Sequence, residues 1–399
     1  MRRVELAAAA LIAALALVAG WNAYKYPSGA GYDVKQHREY ADLLIHHGEI
    51  PSGEGSEYYT PPVFYALAGM ATLVGEHVHS GDPHKLGQVL NWLVLLATAG
   101  VLWLLARELF PGRAWVQLGA LAFFCFLPVV LRVGAMFHPE PLSMLLTAVA
   151  LLLAARMLGR GEYRWQLAVA CGAALGLAQL VRAFSLWTFA AVAIAFVVAR
   201  AWRPLVLIAV VTAVVVAPWY VRQTIKYGDP VFDRPTTHEH VWERRPASFY
   251  FGLGLPAVFT EPIRPHYVNE ALPTTYSDVW GDYFGVWRGD REVQSFLGLL
   301  PTALALLGWV LLLIRSIRAP PRLAAALLPG LGLLGFLYFT VSYPTADGDV
   351  LKAGYMLTTA PAWALAFGVG LERLPGRIRV VAAAVLAVSA LIALPFLVY

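Results

Sequence analysis

Apolar residues run in blocks of roughly 20 through most of this chain, and polar residues collect in the gaps. A block of that length suits one helix crossing about 30 Å of hydrocarbon. Blocks at 4–20, 88–106, 115–136, 140–156, 165–181, 183–199, 204–219, 296–314, 322–340, 356–371 and 380–398 predict an all-α integral membrane protein. The expected architecture is a polytopic bundle of about eleven transmembrane helices forming a single domain over 1–399. The run VFYALAGMATLV at 63–74 is too short to span and reads as an interfacial or re-entrant helix. Block 4–20 follows Arg2 and Arg3 as a signal-peptide core would. An uncleaved anchor is expected there rather than a cleaved leader.

Arginine placement orients the bundle. With 63–74 left out of the span count, Arg2/Arg3, Arg107/Arg113, Arg156/Arg160/Arg164, Arg200/Arg203, Arg315/Arg318/Arg322 and Arg373/Arg377/Arg379 fall on one side. That side is expected to be cytoplasmic, together with the N-terminus. Two long loops, 21–87 and 220–295, then face outward. So do the short turns FHPEP (137–141), the turn at Arg182 and the turn from Tyr343 to Lys352. Nearly all polar chemistry lies on that face.

Composition agrees. Hydrophobic residues make up 59% of the chain and charged residues 14%, against about 25% charged in soluble domains. The net charge of +5 sits in short arginine clusters that topology explains, so no nucleic-acid partner is expected. Cys125 and Cys171 both lie in apolar runs, without disulfide or metal spacing. Repeats and nucleotide-binding glycine motifs are lacking. Richness in Ala, Gly, Pro and Arg suits a GC-rich bacterial genome, hence a bacterial plasma membrane.

Several outward residues can carry chemistry. On a helix through GYDVKQHREYADLL, Asp33 and His37 share a face at i and i+4. They suit a general base with an orienting partner, two metal ligands, or simply a solvated interfacial face. In GSEYYTPPVFYALAG the prolines set an extended approach to the short helix, and Tyr59 and Tyr65 offer stacking faces. Glu140 opens the fourth span with His138 two residues earlier, which suits a functional acid or a helix-dipole partner. Arg182, Arg222 and Lys352 stand at headgroup depth on different helices and suit a phosphate clamp; Arg182 alone also suits a snorkelling side chain. The segment YSDVWGDYFGVW, with Asp278, Trp280, Asp282 and Tyr283, mixes ring faces with carboxylates as sugar sites do, or as a loop packed on itself does.

In this order and placement, GYD, the D-x-x-x-H-x-x-Y-A helix, TPPVFYAL, the acidic start of the fourth span, GLAQLVR, PWYVRQTIKYGDP and KAGYMLTTAPAWALAFG resemble the GT-C superfamily of membrane glycosyltransferases. The resemblance is to the branch of aminoarabinose transferases and protein O-mannosyltransferases, and it runs almost from end to end. It implies inverting transfer of a hexosyl or pentosyl group from a polyprenyl-phosphate lipid donor to an unidentified acceptor on the outer face. It implies Asp33 as catalytic base and a cationic set, Arg182, Arg222 and Lys352, on the departing phosphate. A metal is not required; His37, His138 and Glu140, with Asp33, are the groups that could hold a divalent ion. Three departures from the family stand out: Val34 follows Asp33 where many relatives have Glu, Thr60 replaces Lys or His, and Gly354 replaces Arg. A transporter or flippase would need polar residues in mid-span, which these spans nearly lack. A scaffold without catalysis is the other alternative.

Overall fold

The computed structural model describes residues 2–52, 57–79, 81–161, 163–231, 245–342 and 350–399. The expected turn from Tyr343 to Lys352 therefore falls mostly outside the described residues, as do 232–244 of the second loop. Eighteen α-helices follow in order among the described residues. They are α1 (Arg2–Lys25), α2 (Val34–His47), α3 (Val63–His77), α4 (Lys85–Leu109), α5 (Ala114–Phe126), α6 (Pro128–Gly134), α7 (Glu140–Arg160), α8 (Trp165–Gln179) and α9 (Leu186–Val198). Then come α10 (Trp202–Tyr227), α11 (Ala247–Phe251), α12 (Ala257–Thr260), α13 (Ala271–Trp280), α14 (Arg291–Leu297), α15 (Leu299–Ser316), α16 (Pro320–Ser342), α17 (Ala360–Arg373) and α18 (Gly376–Leu397).

Each apolar block of the sequence is helical, but the blocks are not equivalent. Seven helical segments are long and apolar enough to cross a membrane, or eight if α5 and α6 count as one broken span. The helices over 165–179 and 183–198 are shorter, and α17 has 14 residues, so length does not make spans of all eleven blocks. The chain is a multi-pass membrane protein. Between α5 and α6 it bends by 52°. Pro128 at the start of α6 pushes Leu127 into extended backbone (φ −69°, ψ 116°) and interrupts the hydrogen-bond ladder.

Lipid as solvent explains which helices are buried. On α10 and α18 few side chains are buried, and valines and leucines point outward. By contrast α17 is buried along nearly its whole length, packed between α5 and α15. Small residues allow this: a Cβ on Gly370 would meet the backbone of α15 at Leu304 and Gly308, and one on Gly368 would meet α5 at Val116. Close backbone approach through small residues is how membrane helices gain packing energy when lipid tails are as apolar as leucine.

The two ends of the bundle differ. At one end arginines tie helix termini together: Arg113 with Glu372, Arg160 with Glu108 at 2.8 Å, and Arg322 with the carbonyl of Leu109 at 2.9 Å. The opposite end carries α2 and α3 between α1 and α4, and α11–α14 between α10 and α15. α3 is half buried against α2 and α4 and is too short to span.

Candidate active site

The loop-bearing end gathers the charged side chains that the outer spans cannot place in lipid. Asp33 is the residue before α2, and its backbone is left-handed (φ 51°, ψ 15°). Aspartate tolerates that region better than most residues, at a modest strain. This geometry leaves the carboxylate without a hydrogen bond to its own helix. It accepts instead from Lys352, Nζ to Oδ2 at 2.8 Å, across 319 residues of chain. Burial works against ionisation of Asp33, but Lys352 and its other neighbours, Arg182 among them, together outweigh it and hold the carboxyl below its usual value. Lys352 is buried at 5% exposure, while the Asp33 side chain keeps 32%. The base candidate therefore forms the open side of the pair.

One carboxylate fixes both flanks of this pair. Asp278 on α13 accepts from the Tyr32 hydroxyl at 2.7 Å and from the backbone N–H of Ala353 at 2.6 Å. It has no exposed surface. Arg132 on α6 donates to its carbonyl and lies 3.9 Å from its side chain. Asp278 thus fastens the residue before Asp33 and the residue after Lys352 to a single strut. Its neighbours are also committed. Asp282 accepts from the N–H of Trp287 at 2.8 Å; burial raises its pKa to about 6, against the pull of Arg132. Tyr283 is buried and donates to the carbonyl of His266. Trp280 turns away, donating to Thr302 at 2.9 Å, into an apolar cleft of about 340 Å³ under α18. These four residues, expected to face sugar or acceptor, are each bonded within the protein.

Arg182 sits in the turn between α8 and α9. Its Nε donates to Glu140 Oε1 at 2.8 Å, and its second carboxylate partner, Glu57, is 3.9 Å away. The guanidinium also lies over the Tyr355 ring at 5.9 Å. Burial disfavours its charge, yet Glu140, Glu57 and the nearby tyrosines together more than compensate and keep the guanidinium protonated. Tyr59 donates to Glu57 at 2.9 Å and so borders the same cluster. Arg182 and Lys352 both act on Asp33. Arg222, near the end of α10, donates to Gln223 at 2.7 Å and lies over Trp219, and its charge is felt by Tyr40, whose ring stacks on Tyr65 at 3.8 Å.

His37 is fully buried one turn along α2, and its tautomer follows from a chain of hydrogen bonds. The Thr60 hydroxyl donates to the carbonyl of Glu57, so the Tyr65 hydroxyl, 2.9 Å away, must give its proton to Thr60. Tyr65 then accepts from His37 Nδ1, also at 2.9 Å, which leaves a lone pair on Nε2. Burial brings the imidazole pKa down to about 3, so the ring is neutral. His138 meets it edge to face at 4.8 Å; burial likewise holds His138 far below the usual imidazole range. Asn91 pins the His138 turn, donating to the carbonyls of Met136 and His138 at 2.8 Å. Among the described residues, no three His, Cys, Asp or Glu side chains gather closely enough to hold a metal ion. Glu140 is taken up by Arg182, so the set His37, His138 and Glu140 does not assemble.

Arg132, Tyr32, Glu57 and Tyr355 were not expected at the site. Arg132 had a signal: a charge within the apolar block 115–136 demands a partner. The other three carry no such mark.

No family model matches the sequence, and no curated protein matches it. Solved structures do match. ArnT from Cupriavidus metallidurans bound to undecaprenyl phosphate aligns with a TM-score of 0.59 at 22% identity, over 96% of this chain and 64% of that one. The Archaeoglobus fulgidus oligosaccharyltransferase AglB, in complex with an inhibitory peptide and a dolichol-phosphate, aligns with a TM-score of 0.57 at 14% identity, over 98% and 55%. A structure of the same oligosaccharyltransferase with Zn and sulfate gives 0.56 at 15%, over 97% and 51%. The chain therefore spans just under two thirds of ArnT and about half of the archaeal enzyme. At these identities the likeness is one of architecture: this chain shares the membrane-helix fold of those two enzymes.

Proposed function

We propose that this protein is a membrane glycosyltransferase that moves a sugar from a polyprenyl-phosphate lipid to an acceptor hydroxyl, with inversion. The observation that carries the reading is the Asp33–Lys352 pair, a partly open carboxylate against a buried cation, at the loop-bearing end of a fold whose solved examples bind lipid phosphates. Asp33 takes the acceptor proton as the hydroxyl oxygen bonds to the anomeric carbon. The bond from that carbon to the phosphate oxygen breaks, and its electron pair leaves with the phosphate. Lys352 and Arg182 stabilise the charge that grows there, and Arg222 serves the lipid phosphate from the side of α10. Tyr59 and Tyr65 border the site, Tyr65 through His37. The site lies on the outer face of a bacterial plasma membrane, with the N-terminus cytoplasmic and the loops 21–87 and 220–295 outside.

Although the archaeal enzyme has been solved with zinc, Asp33 and Glu140 are paired with cations, and among the described residues the histidines gain no third metal ligand. No step is routed through a metal. A transporter reading fits less well, because the charged side chains described here cluster at one end or bind one another across helix termini.

The test is turnover of purified Asp33→Asn in nanodiscs with a polyprenyl-phosphate sugar. Losing a general base costs about 10²–10⁴-fold in rate. Glu140→Gln serves as the control acid and should affect turnover through Arg182 alone. Near-parental turnover by Asp33→Asn would sink the assignment.

A further inference from the structure

A base should be free to accept a proton, yet Asp33 spends one carboxylate oxygen on Lys352 at 2.8 Å. A lysine meant for phosphate should be free to meet it, yet it is bound to the base. The contact is not an accident of mobile side chains. Lys352 is buried, and Asp278 anchors both flanks of the pair, through the Tyr32 hydroxyl on one side and the Ala353 backbone N–H on the other. Asp33, with its left-handed backbone, makes no side-chain bond to α2, so no helix bond competes for its carboxylate. Arg182, the other cation acting on Asp33, already carries Glu140 and Glu57.

We propose that Lys352 is a shared cation: it masks the Asp33 carboxylate in the free protein and is drawn off by the phosphate of the incoming donor, so that the base is released only after the donor is in place. This rests on the reading above and adds an order of events to it. The charges favour the exchange as the reaction proceeds. A sugar-linked phosphodiester carries one negative charge, and the departing lipid monophosphate can carry two. Meanwhile Asp33 takes up a proton and loses its own charge, so its hold on Lys352 fades as the pull of the phosphate grows. Acceptor arriving first would meet a carboxylate with one oxygen still held by Lys352, a weaker base, which limits wasteful loss of the activated sugar. The chemistry recognised is a phosphate group, and a lipid-linked or a free one are its two sources.

The experiment is a double-mutant cycle read by affinity, without turnover. Binding of farnesyl phosphate and, separately, inorganic phosphate is measured in nanodiscs for the parent, Asp33→Asn, Lys352→Met and the double variant. Methionine keeps the length of the buried stem; Lys352→Gln replaces it should that variant not fold. Freeing one charge-assisted hydrogen bond should tighten farnesyl phosphate binding to Asp33→Asn by roughly tenfold. In the Lys352→Met background the same change should tighten binding by no more than about twofold, the share left to simple repulsion between carboxylate and phosphate. Equal tightening in both backgrounds, or none in either, overturns the shared cation and leaves the donor reading standing. Farnesyl phosphate failing to bind even the folded parent overturns both. Equal coupling with inorganic phosphate supports the shared cation and assigns it to phosphate as such rather than to a lipid.

Discussion

Arg182 and Glu140 show what a single residue can be asked to do at the edge of a membrane. Their side chains are 8% and 1% exposed, so removing one partner strands a buried charge, which typically costs about 3–5 kcal/mol. Arg182→Ala should therefore lower the melting temperature sharply, and adding Glu140→Gln should restore most of it. The two roles of Arg182 then separate. The double variant should fold but bind a polyprenyl phosphate more weakly than the parent, and Arg182→Lys should fall between, having charge without the bidentate fork. If the double variant binds as the parent does, Arg182 is structural and Lys352 carries the phosphate alone. Arg182 was legible from the sequence as a cation at headgroup depth; its two carboxylate partners were not, since Glu57 and Glu140 belong to other segments.

Among the elements, α17 has the least freedom. It is short, nearly all buried, and wedged between α5 and α15 by glycines on all three helices. Overpacking such a contact costs about 1–3 kcal/mol or more. Gly370→Val should accordingly destabilise the protein in a detergent melt far more than Gly100→Val on α4, where an added Cβ meets nothing within 4 Å. Similar losses in the two variants would mean that helix propensity, not close packing, is being read. The apolar block 356–371 foretold a helix here but not its central position. Centrality depends on which small residues face each other across three helices far apart in the chain.

Taken whole, the molecule separates its charges by end. The arginine clusters tie helix termini at one end, and the Asp33–Lys352 and Arg182–Glu140 pairs lie at the other. If the arginine-rich end is cytoplasmic, single cysteines at Ser52 and Ser248 should label with an impermeant thiol reagent in intact cells, and one at Arg160 should not. All three positions are exposed, and the native Cys125 and Cys171 are buried, so background labelling should be low. Protection at both serines with labelling at Arg160→Cys would invert the protein and move the proposed site to the cytoplasm.

From sequence alone the membrane class, the helical blocks, the placement of polar chemistry at one end and the candidacy of Asp33 were all readable. The reason is physical: hydrocarbon forces every spanning segment to satisfy its own backbone and to be apolar for about 20 residues, and that constraint is local. Pairing of charges is not local. Lys352 meets Asp33 across 319 residues, and Asp278 joins their flanks because Tyr32 and Ala353 arrive on either side of it. Which helix ends meet was decided by close packing through small residues, and only that packing determined which carboxylate stayed open and which cation closed it.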